Sequence, residues 1–214
     1  MKKVLFFCFL MHASYAADWY VTPHGGIGFL RTMTEHIAPF KDTGALKYKA
    51  KFYPGVTLGG SIGYRKDFWD ISLLYSYGYN SLRIAKSPLV KGEPKNALEG
   101  YTQSHTLILQ GLFFIPTGSP FLPYIAGGPG YLRIITKQDL GFTFFDKIIL
   151  NDSANAFGYR VKSGFQYQVT ETFLTDFYYA FLGAVRPKFN DKAGNSFHST
   201  YYLHSFNFSF VYLF

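Results

Sequence analysis

The sequence contains a single cysteine, Cys8, and it lies near the start of the 214-residue chain. Two lysines and the apolar run 4–11 precede the small residues of 14–16, in the order that signal peptidase reads. We therefore predict a signal peptide over 1–16, with no lipid attached to Cys8, and a mature chain over 17–214. A mature chain without cysteine excludes disulfides, cysteine-ligated metals and thiol nucleophiles.

Long hydrophobic runs are also missing after the predicted signal peptide. No later segment reaches the roughly 18 consecutive apolar residues of a helical membrane span. Charged residues make up 16% of the chain and aromatic residues 21%, whereas typical soluble domains carry about 25% charged residues. This composition favours a surface that meets something other than water. If that surface is a membrane, the chain crosses it as a closed barrel, because only closure pairs every strand.

The stretch 201–214 shows the clearest pattern in the chain. Its aromatic residues occupy every second position and alternate with smaller or aliphatic residues, and they are Phe206, Phe208, Phe210, Tyr212 and Phe214. Successive side chains of a strand point to opposite faces, so a strand here has one wholly aromatic face. A soluble sheet rarely ends on such a row without a polar tail.

Seven further segments have strand-like patterns, and they are 19–29, 52–64, 69–80, 102–114, 122–135, 156–169 and 173–182. All eight segments reach the about 9–11 residues that a tilted strand needs to cross a membrane. Three connections are short, and four are long, at about 31–51, 83–101, 136–155 and 183–199. We predict an all-β fold, an eight-stranded antiparallel transmembrane β-barrel with four long external loops and short periplasmic turns.

Pro129 interrupts the fifth of these segments. Proline cannot donate a hydrogen bond to a strand ladder, and glycines flank it at 127, 128 and 130. This combination predicts a bulge or bend at Pro129.

A soluble barrel such as a lipocalin is the structural alternative, with its apolar face inside and polar residues outside. Strand periodicity does not say which face points outward. In this sequence one face is small and polar, which suits the narrow lumen of an eight-stranded barrel. The other face is bulky, and its aromatic residues cluster toward the strand ends as in an interfacial girdle, which favours the membrane barrel.

Three internal segments and the terminal Phe214 carry a family resemblance. The segments are the glycine-rich 55–64, the sequence PYIAGG over 123–128, and 158–168 followed by a Thr-Glu turn. On these residues the chain resembles the OmpA/OmpX-like and opacity-type surface antigens over essentially all of its mature length. The resemblance implies an outer-membrane barrel in which Phe210, Tyr212 and Phe214 serve as the signal for the barrel-assembly machinery. It leaves the activity open, because such barrels include adhesins, anchors and lipid-modifying enzymes.

Six charged residues are predicted to face the lumen, and they are Arg65, Asp70, Arg133, Arg160, Lys162 and Asp176. Eight strands leave an interior just wide enough for side chains. We therefore predict a network of salt bridges that plugs the barrel, with a gated ion pathway as the alternative.

Histidine and serine occur as the neighbours His198-Ser199 and His204-Ser205. Neighbouring side chains on a strand face opposite ways, so neither pair can share a proton. His24 and His105 are isolated in the sequence. We predict no catalytic site, metal site or cofactor; a lipid A-modifying enzyme or a transporter of small solutes or hydrophobic ligands is the alternative.

The predicted loops carry most of the basic residues of a chain whose net charge is +8, and the site residues among them are Lys41, Lys47, Lys49, Arg83, Lys86, Lys91, Lys95, Arg186, Lys188 and Lys192. Basic loops outside the cell attract the phosphates of lipopolysaccharide or anionic glycans on a host surface. We predict a structural and antigenic surface protein, adhesive through these loops, with outer-membrane lipid and lipopolysaccharide as partners and no role for nucleic acid.

Overall fold

The computed structural model describes residues 18–37, 46–86, 99–140, 148–190 and 196–214, so the predicted signal peptide lies outside the described residues. The described residues contain twelve strands: β1 (Asp18–Leu30), β2 (Met33–Ile37), β3 (Leu46–Phe52), β4 (Gly55–Lys66), β5 (Trp69–Lys86), β6 (Glu99–Phe114), β7 (Phe121–Leu140), β8 (Ile148–Gln168), β9 (Phe173–Ala184), β10 (Lys188–Asn190), β11 (Ser196–His198) and β12 (Tyr201–Leu213). None of these residues belongs to a helix that is long and apolar enough to span a membrane.

Eight of these strands form a closed antiparallel barrel, in the order β1, β4, β5, β6, β7, β8, β9 and β12. The ring closes between the first and last strands, whose pairing runs from Tyr20 opposite Leu213 to Leu30 opposite Leu203. Every barrel strand therefore has a partner on both sides, and the barrel has no open edge to expose unpaired backbone groups. The predicted eight-stranded barrel is confirmed.

The two ends of the barrel differ in their connections. At one end, which we call the turn end, β4 and β5 are joined by Asp67 and Phe68 alone, and short segments also join β6 to β7 and β8 to β9. Asp67 has a positive φ of 53°, which the first central residue of the tight hairpin turns requires and which aspartate tolerates. The first residue of β1 and the last residue of β12 lie at this end too.

The opposite end, which we call the loop end, contains more regular structure than the sequence predicted. Two short hairpins, β2–β3 and β10–β11, occupy parts of the first and fourth predicted loops, and β3 continues alongside β5. The strands β7 and β8 pair from Phe121 opposite Tyr167 to Leu140 opposite Ile148. Much of the third predicted loop is therefore an extended hairpin.

Large apolar side chains cover the outside of the barrel. Leu109, Ile125 and Phe157 are 53%, 58% and 61% exposed although they lie in the middle of strands. On β7 the uncharged outward row runs from Phe121 to Tyr131, which is about 33 Å along the strand and about 25 Å across a membrane at the usual tilt of about 40°. This length matches the apolar band of membrane barrels, and the outward apolar face contradicts the lipocalin alternative.

The predicted bulge at Pro129 is wrong. The pairing of β6 with β7 has the same offset at Ile108–Gly130 and at Gly111–Gly127, so neither strand contains an extra residue. The two intervening pairs are missing from this ladder, while Pro129 stays opposite Tyr159 on the other side. The proline interrupts hydrogen bonding locally because it lacks an N–H group, and the alternation of faces continues through it.

The interior contains a large apolar cluster toward the loop end and the charged residues toward the turn end. Toward the loop end, side chains from the barrel wall and both hairpins form one apolar cluster, made of Leu30, Met33, Ala50, Leu74, Leu82, Ile108, Leu132, Ile134, Ala154, Ala156, Leu182, Ala184, Phe189, Phe197, Tyr201 and Leu203. Buried polar side chains lie in the same half, among them Asn80, Thr102, Ser104, Thr136 and Gln138, so the lumen is mixed there and not only small and polar as the sequence predicted. Toward the turn end, two smaller clusters surround the charged residues, and Leu122 packs against both.

Candidate functional site

Arg65 and Asp70 form an ion pair inside the turn end. They lie opposite each other on β4 and β5, directly beside the tight turn that joins these strands. The Arg65 Nη2 atom is 3.5 Å from the Asp70 Oδ2 atom and donates a hydrogen bond of 2.9 Å to the Gln166 Oε1 atom. The Arg65 guanidinium also lies over the Phe114 ring, 4.3 Å from its centroid. Aromatic packing and the amide therefore help to replace the water that this buried cation loses.

Asp176 is the centre of a second group in the lumen. Its two carboxylate oxygens accept hydrogen bonds of 2.8 and 3.1 Å from the Tyr124 hydroxyl, and Oδ2 accepts a bond of 3.2 Å from Ser209. The Lys162 Nζ atom is 4.0 Å from the same Oδ2 atom. This ammonium also lies 4.8 Å from the centroid of Tyr124 and 4.6 Å from that of Tyr178. The buried charges are thus paired, hydrogen-bonded and packed against aromatic rings.

Arg160 extends this group toward the loop end. Its guanidinium carbon lies 5.5 Å from the centroid of Tyr178, the ring that also contacts Lys162. The structure therefore brings together five of the six residues that were predicted to face the lumen. That the network plugs the barrel against ions stays a prediction.

Arg133 is the sixth residue, and its predicted lumen position is wrong. It is exposed, whereas its neighbours Leu132 and Ile134 are completely buried inside the barrel. Without a bulge at Pro129, the alternation along β7 places Tyr131 and Arg133 together on the outward face.

His24 and Ser76 form a contact that the sequence did not reveal. The His24 Nε2 atom lies 3.3 Å from the Ser76 Oγ atom inside the barrel, and the imidazole packs edge-on against Tyr178. The two residues are 52 positions apart in the chain, and the register of β1 and β5 with the intervening β4 brings them together, because both lie opposite Gly59. Within the described residues, the charged groups that act on this histidine are the cations Arg160 and Lys162, so the orienting carboxylate of a catalytic triad is not in place.

The other histidines whose side chains the structure describes, His105, His198 and His204, lie on the outside. His204 is half-buried in the outward face and Ser205 is buried in the lumen, while His198 is exposed and Ser199 buried. The predicted opposition within both neighbouring pairs is confirmed. In the part of the chain that the structure describes, no group of three or more histidine, cysteine, aspartate or glutamate side chains could hold a metal ion.

Two outward histidines contact tyrosine hydroxyls on opposite sides of the barrel. The His105 Nδ1 atom is 2.8 Å from the Tyr75 hydroxyl between β5 and β6, and the His204 Nδ1 atom is 2.6 Å from the Tyr179 hydroxyl between β9 and β12. The two strand pairs are four strands apart in the ring of eight. Each pair lies toward the loop end, among other aromatic side chains.

The structure describes only some of the basic residues that were predicted to lie in the loops. Lys49, Arg83, Arg186 and Lys188 are exposed at the loop end. The backbones of Lys47 and Lys86 belong to strands β3 and β5. The remaining predicted loop residues lie outside the described residues, and they are Lys41, Lys91, Lys95 and Lys192.

The three residues of the predicted assembly signal form one outward row on β12. Phe210, Tyr212 and Phe214 are 45%, 51% and 62% exposed. The Phe214 backbone N–H donates to the Trp19 carbonyl at 2.9 Å, and the Trp19 N–H donates to the Phe214 carbonyl at 3.2 Å. The last residue of the chain is therefore part of the seam that closes the barrel.

A closed eight-stranded barrel with an apolar outer wall and a filled lumen defines the fold class of the small outer-membrane β-barrels. The resemblance that the sequence suggested is confirmed at the level of the fold. No family model matches the chain, and the search of curated proteins found no match.

Solved structures similar to this chain agree with that class. Neisserial surface protein A superposes with a TM-score of 0.57 at 14% identity, over 94% of this chain and 100% of that one. OprG from Pseudomonas aeruginosa gives a TM-score of 0.59 at 16% identity, over 92% and 97% of the two chains. The outer membrane protease OmpT from Escherichia coli gives 0.53 at 9% identity, over 92% and 96%. At these identities the likeness is one of fold, and it leaves the activity open.

Proposed function

We propose that this protein is an outer-membrane surface protein whose closed barrel anchors a basic loop end that binds polyanionic glycans. In this proposal the turn end faces the periplasm and the loop end lies outside the cell. The outward apolar wall, the short turns at one end and the fold class support this placement.

The distribution of exposed charge is the observation that carries the proposal. The exposed cations of the described loop end are Arg31, Lys49, Lys51, Arg83, Arg133, Lys137, Arg186 and Lys188. At the turn end, the charged residues outside the lumen are Lys66, Asp18, Asp67 and Glu171. Asp152 is the half-buried acidic residue among the described side chains of the loop end, against eight exposed cations, so the described charge at the end with the hairpins is positive and attracts phosphate and sulfate groups.

A salt-sensitive interaction with heparin tests this proposal. The isolated barrel is expected to bind immobilised heparin at about 50 mM salt and to be released well below 1 M salt, because screening shortens the reach of surface charges to about 3 Å at 1 M. Replacing Arg31, Lys49, Lys51 and Arg83 with glutamine should lower the salt concentration needed for release. Elution of the wild-type barrel in the void volume, or retention that ignores salt, would contradict the proposal.

The filled lumen supports a role as a surface protein more than a role as a pore. The ion pairs at the turn end and the apolar cluster at the loop end lie one above the other along the barrel axis. An ion that entered from the loop end would have to pass between buried side chains, many of them apolar, where it loses much of its hydration.

We expect purified barrel in planar lipid bilayers to show conductance at the level of the protein-free membrane. Denatured barrel is the control for contaminating pores. Discrete conductance steps that persist after repurification would show that the network is a gated ion pathway and would overturn the plugged lumen.

Uptake of a small apolar solute is the second candidate function. The apolar cluster in the loop-end half of the lumen is the observation that favours it, because apolar interiors can accept apolar guests. Native mass spectrometry would support this function if a small apolar molecule stayed bound to the barrel after the detergent was removed.

A further inference from the structure

The outward face of β6, β7 and β8 changes from apolar to polar within one step of the ladder. In one row across these strands, Leu107 lies opposite Tyr131, and Tyr131 lies opposite Phe157. In the next outward row toward the loop end, His105 lies opposite Arg133, which in turn lies opposite Asn155. The wall therefore has a sharp boundary at the level of Arg133.

This boundary coincides with the end of the apolar band. The band on β7 ends at Tyr131, after about 25 Å across the membrane. A charged side chain one outward position further lies where the phosphorylated headgroups of the outer leaflet begin. Arginine is suited to such a site because its planar guanidinium can donate two hydrogen bonds to one phosphate.

A second cation, Lys137, lies on the same outward face as Arg133. Lys137 is exposed on the same face of β7, two outward positions further toward the loop end, between Tyr101 on β6 and Asn151 on β8. Among the side chains that the structure describes, the Arg133 guanidinium and the Lys137 ammonium have no hydrogen-bond or ion-pair partner. Both side chains are exposed, so an external anion can reach them.

Polar groups around Arg133 are already held in place. The Tyr75 hydroxyl holds His105 at 2.8 Å through its Nδ1 atom, which leaves Nε2 as the second hydrogen-bonding atom of the ring. On the other side, the Tyr131 hydroxyl donates a hydrogen bond of 2.6 Å to the Asn155 Oδ1 atom. Adjacent strands are about 4.8 Å apart, so one phosphate can contact Arg133 and either flanking side chain together.

The charge of this face is also one-sided. The outward positions of 101–105, 131–137 and 151–157 include Arg133, Lys137 and His105 and contain no aspartate or glutamate. The nearest acidic residue in the ladder is Asp152, which pairs with Thr136 on the inward-facing row and accepts a hydrogen bond from the Asn190 N–H group. The backbones of Glu99 and Asp139 pair one outward position beyond Lys137, away from the apolar band. On this outward face, the charged residues nearest the apolar band are therefore cations.

We propose that Arg133, Lys137 and His105 form a binding site for a phosphate group of lipopolysaccharide on the wall of the barrel. The inference rests on the proposal that the loop end lies outside an outer membrane, and it assigns Arg133 and Lys137, the cations of that end that lie on the barrel wall beside the apolar band, to a lipid headgroup. The phosphate binds to the outer wall of the barrel at the level of Arg133, while the acyl chains lie along the apolar row of Leu107, Tyr131 and Phe157.

Binding of purified lipopolysaccharide tests the site directly. The probe is a short-sugar lipopolysaccharide that carries both lipid A phosphates, compared with the same lipid after removal of these phosphates, and native mass spectrometry of the isolated full-length barrel gives the dissociation constants. The wild-type barrel is expected to prefer the phosphorylated lipid. Arg133→Gln with Lys137→Gln should weaken its binding by about tenfold or more, because two charge-assisted contacts are lost.

The control is Lys66→Gln, which removes one exposed charge at the turn end, away from the proposed site, and is compared with the single variant Arg133→Gln. The control should change the affinity for the lipid by less than about threefold, the effect of a distant screened charge. Equal weakening by Lys66→Gln and Arg133→Gln, or equal binding of both lipids by the wild-type barrel, would overturn the site. Heat-modifiable mobility on gels shows that each variant is folded, and the lipid comparison on the wild-type barrel needs no variant.

The failure of this inference can be distinguished from that of the proposed function. If the barrel prefers the phosphorylated lipid but does not bind heparin, the lipid site stands and glycan binding is wrong. If heparin binding is salt-sensitive but the two lipids bind alike, the lipid site is wrong and the glycan-binding loop end stands.

Discussion

Replacing Asp176 with leucine is expected to lower the free energy of unfolding by about 3–5 kcal/mol, the usual cost of removing one partner of a buried ion pair. The substitution keeps a similar side-chain volume but leaves Lys162 without its carboxylate in the lumen. It also removes the acceptor of the hydrogen bonds from Tyr124 and Ser209. Denaturant titration in lipid vesicles, followed by the fluorescence of Trp19 and Trp69, measures the change.

The double variant Lys162→Met with Asp176→Leu separates the ion pair from the rest of the network. Buried ion pairs are often replaced by apolar side chains at little net cost, because neither charge then has to leave water. The double variant should therefore recover much of the stability that Asp176→Leu loses. A double variant as unstable as the single one would show that the hydrogen bonds of Tyr124 and Ser209, and not the charge of Lys162, determine the effect.

Replacing the aromatic row of the last strand with alanine is expected to lower the amount of assembled barrel in the outer membrane by about tenfold or more. The variant is Phe210→Ala, Tyr212→Ala and Phe214→Ala. These side chains point away from the lumen, so their replacement leaves no cavity in the interior. The last of them lies at the seam with Trp19, where an unpaired strand would expose backbone groups that lipid cannot satisfy. Gel mobility of unboiled outer-membrane fractions measures the folded amount.

A control on another strand tests whether assembly depends on the aromatic residues being in the last strand or only on their number. Phe157→Ala, Phe165→Ala and Tyr167→Ala remove two phenylalanines and one tyrosine from the outward face of β8. This control removes a similar apolar area from the lipid-facing wall, and therefore a similar burial free energy at about 25 cal/mol per Å². It leaves the closing strand intact. Assembly that falls equally in both variants would refute the specific role that the resemblance implies for the terminal strand.

The strands and their faces were predictable because alternation is a local property. A residue and its second neighbour share a face in any strand, so the outward rows of β5 and β12 could be read directly. The ion pair between Arg65 and Asp70 was also accessible, because a tight turn places these residues opposite each other. The partners of Asp176 in the lumen were harder to predict, since Tyr124 lies 52 positions earlier in the chain.

Arg133 shows where local reasoning fails. A bulge in the run Gly127-Gly128-Pro129-Gly130 would have reversed the faces beyond it, and the residues themselves allow either outcome. Pairing with β6 on one side and β8 on the other keeps the register continuous. This register places Arg133 outside the barrel and makes it available to lipid headgroups.

By itself the sequence determined the number of barrel strands, most of the residues that share a face and the likeness to membrane barrels, because each depends on neighbours along the chain. Only the tertiary structure decided which residues meet across the lumen, such as Arg65 and Gln166, and that an apolar cluster fills part of its loop-end half. The physical reason is ring closure. Where both faces of a strand are apolar, as at Leu73 and Leu74, the closed ring decides which side chain meets lipid and which fills the lumen.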